Sequence, residues 1–241
     1  MNSDEACRIK AVYDERERTY RRDLSNPGWR RLFAERDAAL AAILRDQFKR
    51  PLSELRVLDV GCGYGTLLRW FQDQGADPAA LVGVDLLAHR VKAARERYPE
   101  LTFIEANAEQ LPVPDSYFDL VLAFTVFSSI LNDDVARNVA ASISRAVASG
   151  GAVVWYDIRF PNPWNRHVRA LPKSRIRKLF PYFRLELRSL TLLPPVAFRL
   201  GGMSETLYGP LAAIPLFRSH YLGLVWPPKL DDGLHLSRQV L

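Results

Sequence analysis

Leu58-Asp59-Val60-Gly61-Cys62-Gly63-Tyr64-Gly65-Thr66 is the stretch that decides the fold. Residues 56–60 are a short, mainly apolar run that ends in glycines, and residues 66–74 have helical spacing. Strand, tight turn and helix follow in that order. Glycines let the backbone approach a ligand without a Cβ clash, and a helix start offers free N–H groups. The spacing is Gly-x-Gly-x-Gly, not the Gly-x-Gly-x-x-Gly of dinucleotide enzymes. Asp59 stands just before the turn. A carboxylate there repels a pyrophosphate and suits a cationic amino-acid group. A tight β–α turn without a ligand remains the alternative at this point.

The pattern repeats outward from the turn. Residues 81–85 read as a second strand closed by Asp85, 20 residues after Gly65. A carboxylate at that place can accept from both hydroxyls of a ribose. It can also serve only as a helix cap for residues 88–98. Residues 101–105 read as a third strand. Residues 119–125 are apolar along most of their length, as a central parallel strand covered on both faces must be. A helix is expected over 134–148, stopped by Gly150-Gly151, with a buried strand at 152–158. Alternating strands and helices of this length predict a Rossmann-like, doubly wound, mostly parallel α/β sheet with right-handed crossovers. Strands at 184–192 and 221–226 bring the expected total to seven.

Three flanking regions complete the organisation. Residues 1–50 read as an N-terminal helical lid, broken at Ser25-Asn26-Pro27-Gly28, on a domain of residues 51–241. Residues 159–181 form a basic substrate loop and helix. Between Arg159 and Arg188 there are nine Lys/Arg against a single acid, Glu186, whereas the whole chain carries +6. Such a segment is either a solvated face or a surface for an anionic acceptor, a negatively charged membrane or nucleic acid. Residues 193–218, rich in Pro, Gly and Leu, read as an insertion of small helices before the last strand.

Composition narrows the class. Of the 241 residues 48% are hydrophobic and 25% charged, as in an ordinary globular protein. No apolar run reaches membrane-spanning length, and the amino terminus MNSDEACRIK lacks an apolar leader. A cytoplasmic protein is therefore expected. Two cysteines, Cys7 and Cys62, predict neither a structural disulfide nor a metal site.

Residues 105–120, EANAEQLPVPDSYFDL, complete a set of separated motifs in a fixed order. With VLDVGCGYG and Asp85 they resemble the class I S-adenosylmethionine (SAM)-dependent methyltransferases over about residues 55–158. The resemblance implies that Gly61 and Gly63 line the methionine part of SAM. Asp59 would orient its ammonium and Asp85 would hold the ribose. Leu86 would pack on the adenine, with Asn107 and Ala108 at its edge. Asn107 departs from the acid common there, but an amide can still accept from the adenine amino group. Phe124 and Phe127 would wall the donor pocket. Many relatives carry Glu-His where Ser128-Ser129 stand, which leaves any acid–base role of that pair without a carrier. WYDIRFPNPWN, RIRKLFP and LPP…IPLFRSHYL are similar to methyltransferases of bacterial polysaccharide and other secondary-metabolite pathways. That narrower resemblance implies a sugar or glycolipid hydroxyl as acceptor.

A hydroxyl is a poor nucleophile, so a general base is expected. Asp157 at the end of the fifth strand, His167 in the basic loop and Tyr156 are the candidates, with His220 a more structural one. Tyr13 and Tyr20 could close over SAM from the lid. The expected partner is a small-molecule or glycan acceptor, an anionic one among them, with peripheral membrane contact a further option. The chain would act as a monomer or homodimer. No nucleic-acid partner is expected, because neither an RNA-binding domain nor an aromatic platform is evident. An RNA or protein methyltransferase and a non-catalytic SAM-binding protein are the competing readings.

Overall fold

The computed structural model describes residues 3–19, 25–161 and 165–228. Tyr20, residues 162–164 of the basic loop and residues 229–241 lie outside the described residues. The elements run α1 (Ser3–Thr19), α2 (Pro27–Gln47), β1 (Val57–Val60), α3 (Thr66–Asp73), β2 (Leu81–Asp85), α4 (Ala88–Arg97), β3 (Thr102–Glu105) and β4 (Phe118–Phe124). They continue with α5 (Asp133–Ala146), β5 (Val147–Ile158), α6 (Lys173–Leu179), β6 (Arg184–Leu192), α7 (Pro194–Leu200), α8 (Ser204–Ala213) and β7 (Arg218–Trp226). Short 3-10 turns link several of them.

One sheet of seven strands has the order β3-β2-β1-β4-β5-β7-β6. The pairs among β1 to β5 are parallel, and β7 is antiparallel to both β5 and β6. Side chains alternate across it, so each strand feeds two cores. Leu58, Val60, Val121, Ala123, Val153 and Trp155 face α5 and α6. Val57, Leu120, Leu122 and Val154 face α2, α3 and α4. Trp155, Phe71, Phe118, Phe127 and Phe180 are all under 2% exposed. Each such burial contributes on the order of 1.5–3 kcal/mol.

Two local expectations change. Gly150-Gly151 does not stop a helix. α5 ends at Ala146, β5 begins at Val147, and the glycines lie inside that strand, where the register against β4 shifts between Phe118 and Leu120. A Cβ on Gly151 would come within 2.7 Å of the Asp119 carbonyl oxygen, so the bulge brings the two backbones together there.

The expected lid divides into two unlike helices. α2 is a core helix. Leu40 and Leu44 are buried against the sheet, and Phe48 stacks on Trp226 at 5.5 Å. The break at residues 25–28 is its start signal. Asn26 Oδ1 accepts from Gly28 N (2.9 Å) and Trp29 N (3.4 Å), and Pro27 opens the helix. A Cβ on Gly28 would lie 1.7 Å from the Ala197 carbonyl oxygen, so only glycine allows α7 to pack there. Ala197, Tyr208 and Ala212 of α7 and α8 bury against Leu32 of α2. The insertion thus leaves the sheet at the carboxyl end of β6 and sits on α2. Only α1 remains as a cover.

Candidate functional site

The glycine turn is built by backbone. Gly61 N and Cys62 N both donate to the Val84 carbonyl, at 2.7 and 3.0 Å, drawing the turn onto the end of β2. Gly63 (φ +54°) and Gly65 (φ +76°) take left-handed conformations that side chains disfavour. A Cβ on Gly65 would also meet the Phe103 ring at 2.5 Å, whereas around Gly63 there is open space. Asp85 joins this turn to α4. Its Oδ2 accepts from Gly63 N (2.8 Å) and its Oδ1 from Leu87 N (2.9 Å). The carboxylate is therefore fixed at the carboxyl end of β2, with lone pairs left for a ligand.

Asp59 is 2% exposed and has no hydrogen-bond partner among the described residues. Burial pushes its carboxyl well above the usual range, and the nearby Asp85 charge pushes it further. Arg36 of α2 acts in the opposite direction. The Arg36 guanidinium pairs with Asp37 at 2.7 Å and lies 5.0, 5.9 and 6.0 Å from the ring centres of Phe33, Phe124 and Tyr156. Phe124 is half-buried, 5.4 Å from Tyr156. Asp59, Phe124, Tyr156 and Arg36 thus share one side of the sheet. Arg36 was missed by sequence reasoning, yet it left a signal. It interrupts the apolar stripe Leu32, Phe33, Leu40, Ile43, Leu44 at helical spacing, where another apolar residue is expected.

On the expected adenine side, Leu86 is half-buried and Ala108 opens the 3-10 turn Ala108–Gln110. Asn107 caps that turn. Its Oδ1 accepts from Glu109 N (3.0 Å) and its Nδ2 donates to Glu109 Oε1 (3.1 Å). The Ala106 N–H donates to the Asp85 carbonyl at 3.0 Å, holding this loop beside the end of β2.

The connection after β4 is strained. Thr125 has φ +56°, rare for a β-branched residue, and its N–H donates to the Tyr156 carbonyl at 2.7 Å. The turn Phe127–Ser129 follows. Phe127 does not wall the donor side. It is buried across the sheet, stacked on Trp155 at 5.0 Å. α1 crosses above this turn. Glu5 accepts from Leu131 N (2.6 Å) and Asn132 N (3.3 Å), Arg8 donates to the Ser129 carbonyl (2.6 Å), and Tyr13 Oη lies 2.7 Å from Ser129 Oγ. Glu17 closes the far end on His89 (2.8 Å) and Arg90 (2.6 Å). From Glu5 to Glu17 a helix spans about 18 Å. Arg90 lies 4.6 Å from the Tyr13 ring and 5.5 Å from that of Tyr64 in the glycine turn.

The three base candidates are not brought together. Tyr156 and Asp157 are consecutive on β5 and face opposite sides of the sheet. Tyr156 is buried, its Oη lies 3.3 Å from Thr191 Oγ1, and its ring stacks on His220 at 4.6 Å. Burial pushes its hydroxyl far up. Asp157 is 0% exposed and accepts from Ser128 N (3.0 Å) and Ile158 N (2.8 Å). Burial pushes its carboxyl up to about 7, against those hydrogen bonds. His167 is half-buried in a turn whose neighbour Arg169 donates through its backbone to the Ser128 carbonyl at 2.8 Å. Asp157 and the basic loop therefore grip the same residue from two directions. Arg169 and Arg175 both pair with Asp133, so part of the basic run is neutralised locally.

A second polar group lies where β6 and β7 meet. Thr191, with φ +60°, places Oγ1 2.9 Å from His220 Nδ1, which is 2.7 Å from Ser219 Oγ. Tyr208 of α8 donates to Glu35 of α2 at 2.6 Å. Of this group sequence reasoning named only His220, because its members pair across β6, β7, α8 and α2.

Comparison with known proteins supplies the class. Residues 57–151 match a methyltransferase domain family. The trans-aconitate 2-methyltransferase of Rhodopseudomonas palustris is 30% identical over 160 residues, covering 54% of this chain and 58% of that protein. A ubiquinone/menaquinone biosynthesis C-methyltransferase of Stutzerimonas stutzeri is 30% identical over 117 residues, covering 46% and 44%. The chain spans about half the length of the curated relatives it matches. An S-adenosylmethionine-dependent methyltransferase from Mesorhizobium loti has the same fold, with a TM-score of 0.54 at 22% identity over 76% of this chain and 94% of that one. Residues 57–151 thus match a methyltransferase domain, and they carry the glycine turn, Asp85 and the parallel strands β1 to β4.

Proposed function

We propose that this protein transfers the methyl group of SAM to a hydroxyl of a sugar, glycolipid or other small metabolite. The observation that carries the reading is Asp59. Burial and the Asp85 charge hold this carboxyl toward its protonated form, so beside an open glycine turn it ionises favourably only when a cation arrives to pair with it. The ammonium of an amino acid supplies that cation. Asp85, already fixed by Gly63 and Leu87, has lone pairs for two ribose hydroxyls. Leu86, Asn107 and Ala108 border the place an adenine would take, and Phe124 walls the methionine side. SAM supplies a methyl already activated on a sulfonium, so the chain's work is alignment, exclusion of water and removal of one proton.

α1 excludes water by covering the space between the post-β4 turn and α4. His167 takes the acceptor proton in this reading, since Asp157 and Tyr156 are enclosed. Asp157 positions the Ser128 turn, and Tyr156 supports Phe124 and Arg36. The resemblance of the carboxyl-terminal segments to polysaccharide-pathway enzymes supports an oxygen acceptor. The relatives act on different chemistries by their names, trans-aconitate and quinones among them. Isothermal titration with S-adenosylhomocysteine tests the donor half, and absence of binding overturns it. Methyl transfer from labelled SAM to a panel of glycans, glycolipids and carboxylates tests the acceptor half. Label on carboxylates alone would overturn the hydroxyl assignment.

A further inference from the structure

We propose that the α7–α8 insertion docks the protein on an anionic phospholipid bilayer. The inference goes beyond methyl transfer and does not rest on it. Among the described residues the exposed large apolar side chains other than tyrosine are Phe198, Met203, Leu207, Ile214 and Leu216. All five lie in one segment of the chain. Leu216 is 69% exposed, at the tip of the 3-10 turn Pro215–Phe217. The inner side of the same segment is already packed within the chain. Ser204, Tyr208 and Ala212 form the buried stripe of α8, at i, i+4 and i+8. Leu207 and Pro210, at i and i+3, are exposed on another side of α8, and Ile214 follows the helix as its exposed C-cap residue. These outer side chains are left exposed by the packing within the chain.

Charge identifies what covers it. From Arg159 to Arg218 there are eleven Lys/Arg and two acids, Glu186 and Glu205. Glu186 is already paired with Arg184. The basic segment touches the apolar one directly, because Arg159 donates to the Pro215 carbonyl at 3.3 Å. Lys173 reaches the same edge, 5.6 Å from the Tyr221 ring that also carries Arg159 at 5.3 Å. Arg199 is exposed next to Phe198. Exposed apolar side chains with cations beside them match the boundary between acyl chains and anionic headgroups. A second copy of the chain fits less well, since a two-fold contact through this face would oppose two basic rims. No helix among the described residues is long and apolar enough to cross a membrane, so the contact is peripheral. It would bring the bilayer to the carboxyl side of the sheet, one helix layer from Glu35 and Arg36.

Flotation of the full chain with phosphatidylcholine vesicles, with and without phosphatidylglycerol, tests this. The wild type should float with the phosphatidylglycerol vesicles at low salt, and stay behind with pure phosphatidylcholine. Leu216→Ser with Ile214→Ser should lower the bound fraction about tenfold at limiting lipid. Lys173→Gln with Arg199→Gln should lower it by a similar factor, about tenfold, and weaken its salt dependence. Thermal melts matching the wild type would show that the variants are folded. Failure of the wild type to float with phosphatidylglycerol vesicles overturns the proposal, as does flotation unaffected by Leu216→Ser with Ile214→Ser. A dimer in sedimentation equilibrium that the same pair of substitutions dissociates would assign the face to a second copy instead.

Discussion

The two halves of the sheet build their sites by different means. Around β1 and β2 the work is done by backbone, within short sequence distances. Gly61, Gly63 and Gly65 set the turn, and the Gly63 and Leu87 N–H groups fix Asp85. Around β5, β6 and β7 it is done by side chains from distant elements. Tyr208 meets Glu35 across 173 residues, and Tyr156 meets Thr191 across 35. A site made of backbone suits a ligand part that does not vary, which in the proposed function is the donor. A site made of side chains can change its acceptor without changing its fold.

The largest expected effect tests the backbone half. Asp85→Ala removes the acceptor of two backbone N–H groups and of the ribose, at about 1.5–3 kcal/mol per charged hydrogen bond. Titration should show affinity for S-adenosylhomocysteine falling by about three orders of magnitude, near 4 kcal/mol. Retained affinity would place the donor elsewhere.

Next comes the enclosed carboxylate on β5. Asp157 has an ordinary value of 3.8 and is pushed up to about 7 in the folded protein. Between those values the folded state holds a proton that the unfolded state lacks. The stability it contributes is full below about pH 4 and is lost as pH rises through 7. A shift of that size corresponds to at most roughly 4 kcal/mol. Urea melts at a series of pH values should show the wild type losing stability relative to Asp157→Asn from about pH 4 to 7, and no further loss above that. The comparison with Asn isolates Asp157 from Asp59, which shifts in the same direction. A pH-independent difference would mean that Asp157 is solvated.

The basic loop gives the third effect. His167→Asn should lower kcat about 100-fold and leave S-adenosylhomocysteine binding unchanged, as loss of a general base does. An unchanged kcat would remove His167 from the reaction. The smallest effect concerns the cover. Glu17→Gln loosens the ion pairs to His89 and Arg90, which are part-exposed and worth about 0.5–1 kcal/mol. Stopped-flow release of S-adenosylhomocysteine should quicken a few-fold. No change would mean that α1 does not gate the donor.

The donor half was legible because its signals are local. Glycine spacing, a strand-ending acid and the stretch 105–120 each act within a few residues of one another. The strand spans 81–85 and 184–192 were read to the residue. Gly150-Gly151 misled because a glycine pair reads equally as a helix stop and as a bulge, and only pairing with β4 separates the two. Arg36 and Glu35 were hidden because a charge on an amphipathic helix reads as its wet face. Phe127 was misplaced because which face of the sheet a residue after β4 meets depends on the strained turn at Thr125.

By itself the sequence determined a parallel doubly wound sheet, a glycine turn suited to a cationic nucleoside, and the acids Asp59 and Asp85 that flank it. These follow from periodicity, backbone freedom and charge, which act between near neighbours. Tertiary structure alone decided that α2 belongs to the core and α1 covers the site. It also put Tyr156 and Asp157 on opposite faces, and turned the insertion's apolar stripe outward. Those outcomes depend on which elements pack together, and the packing joins residues far apart in the chain.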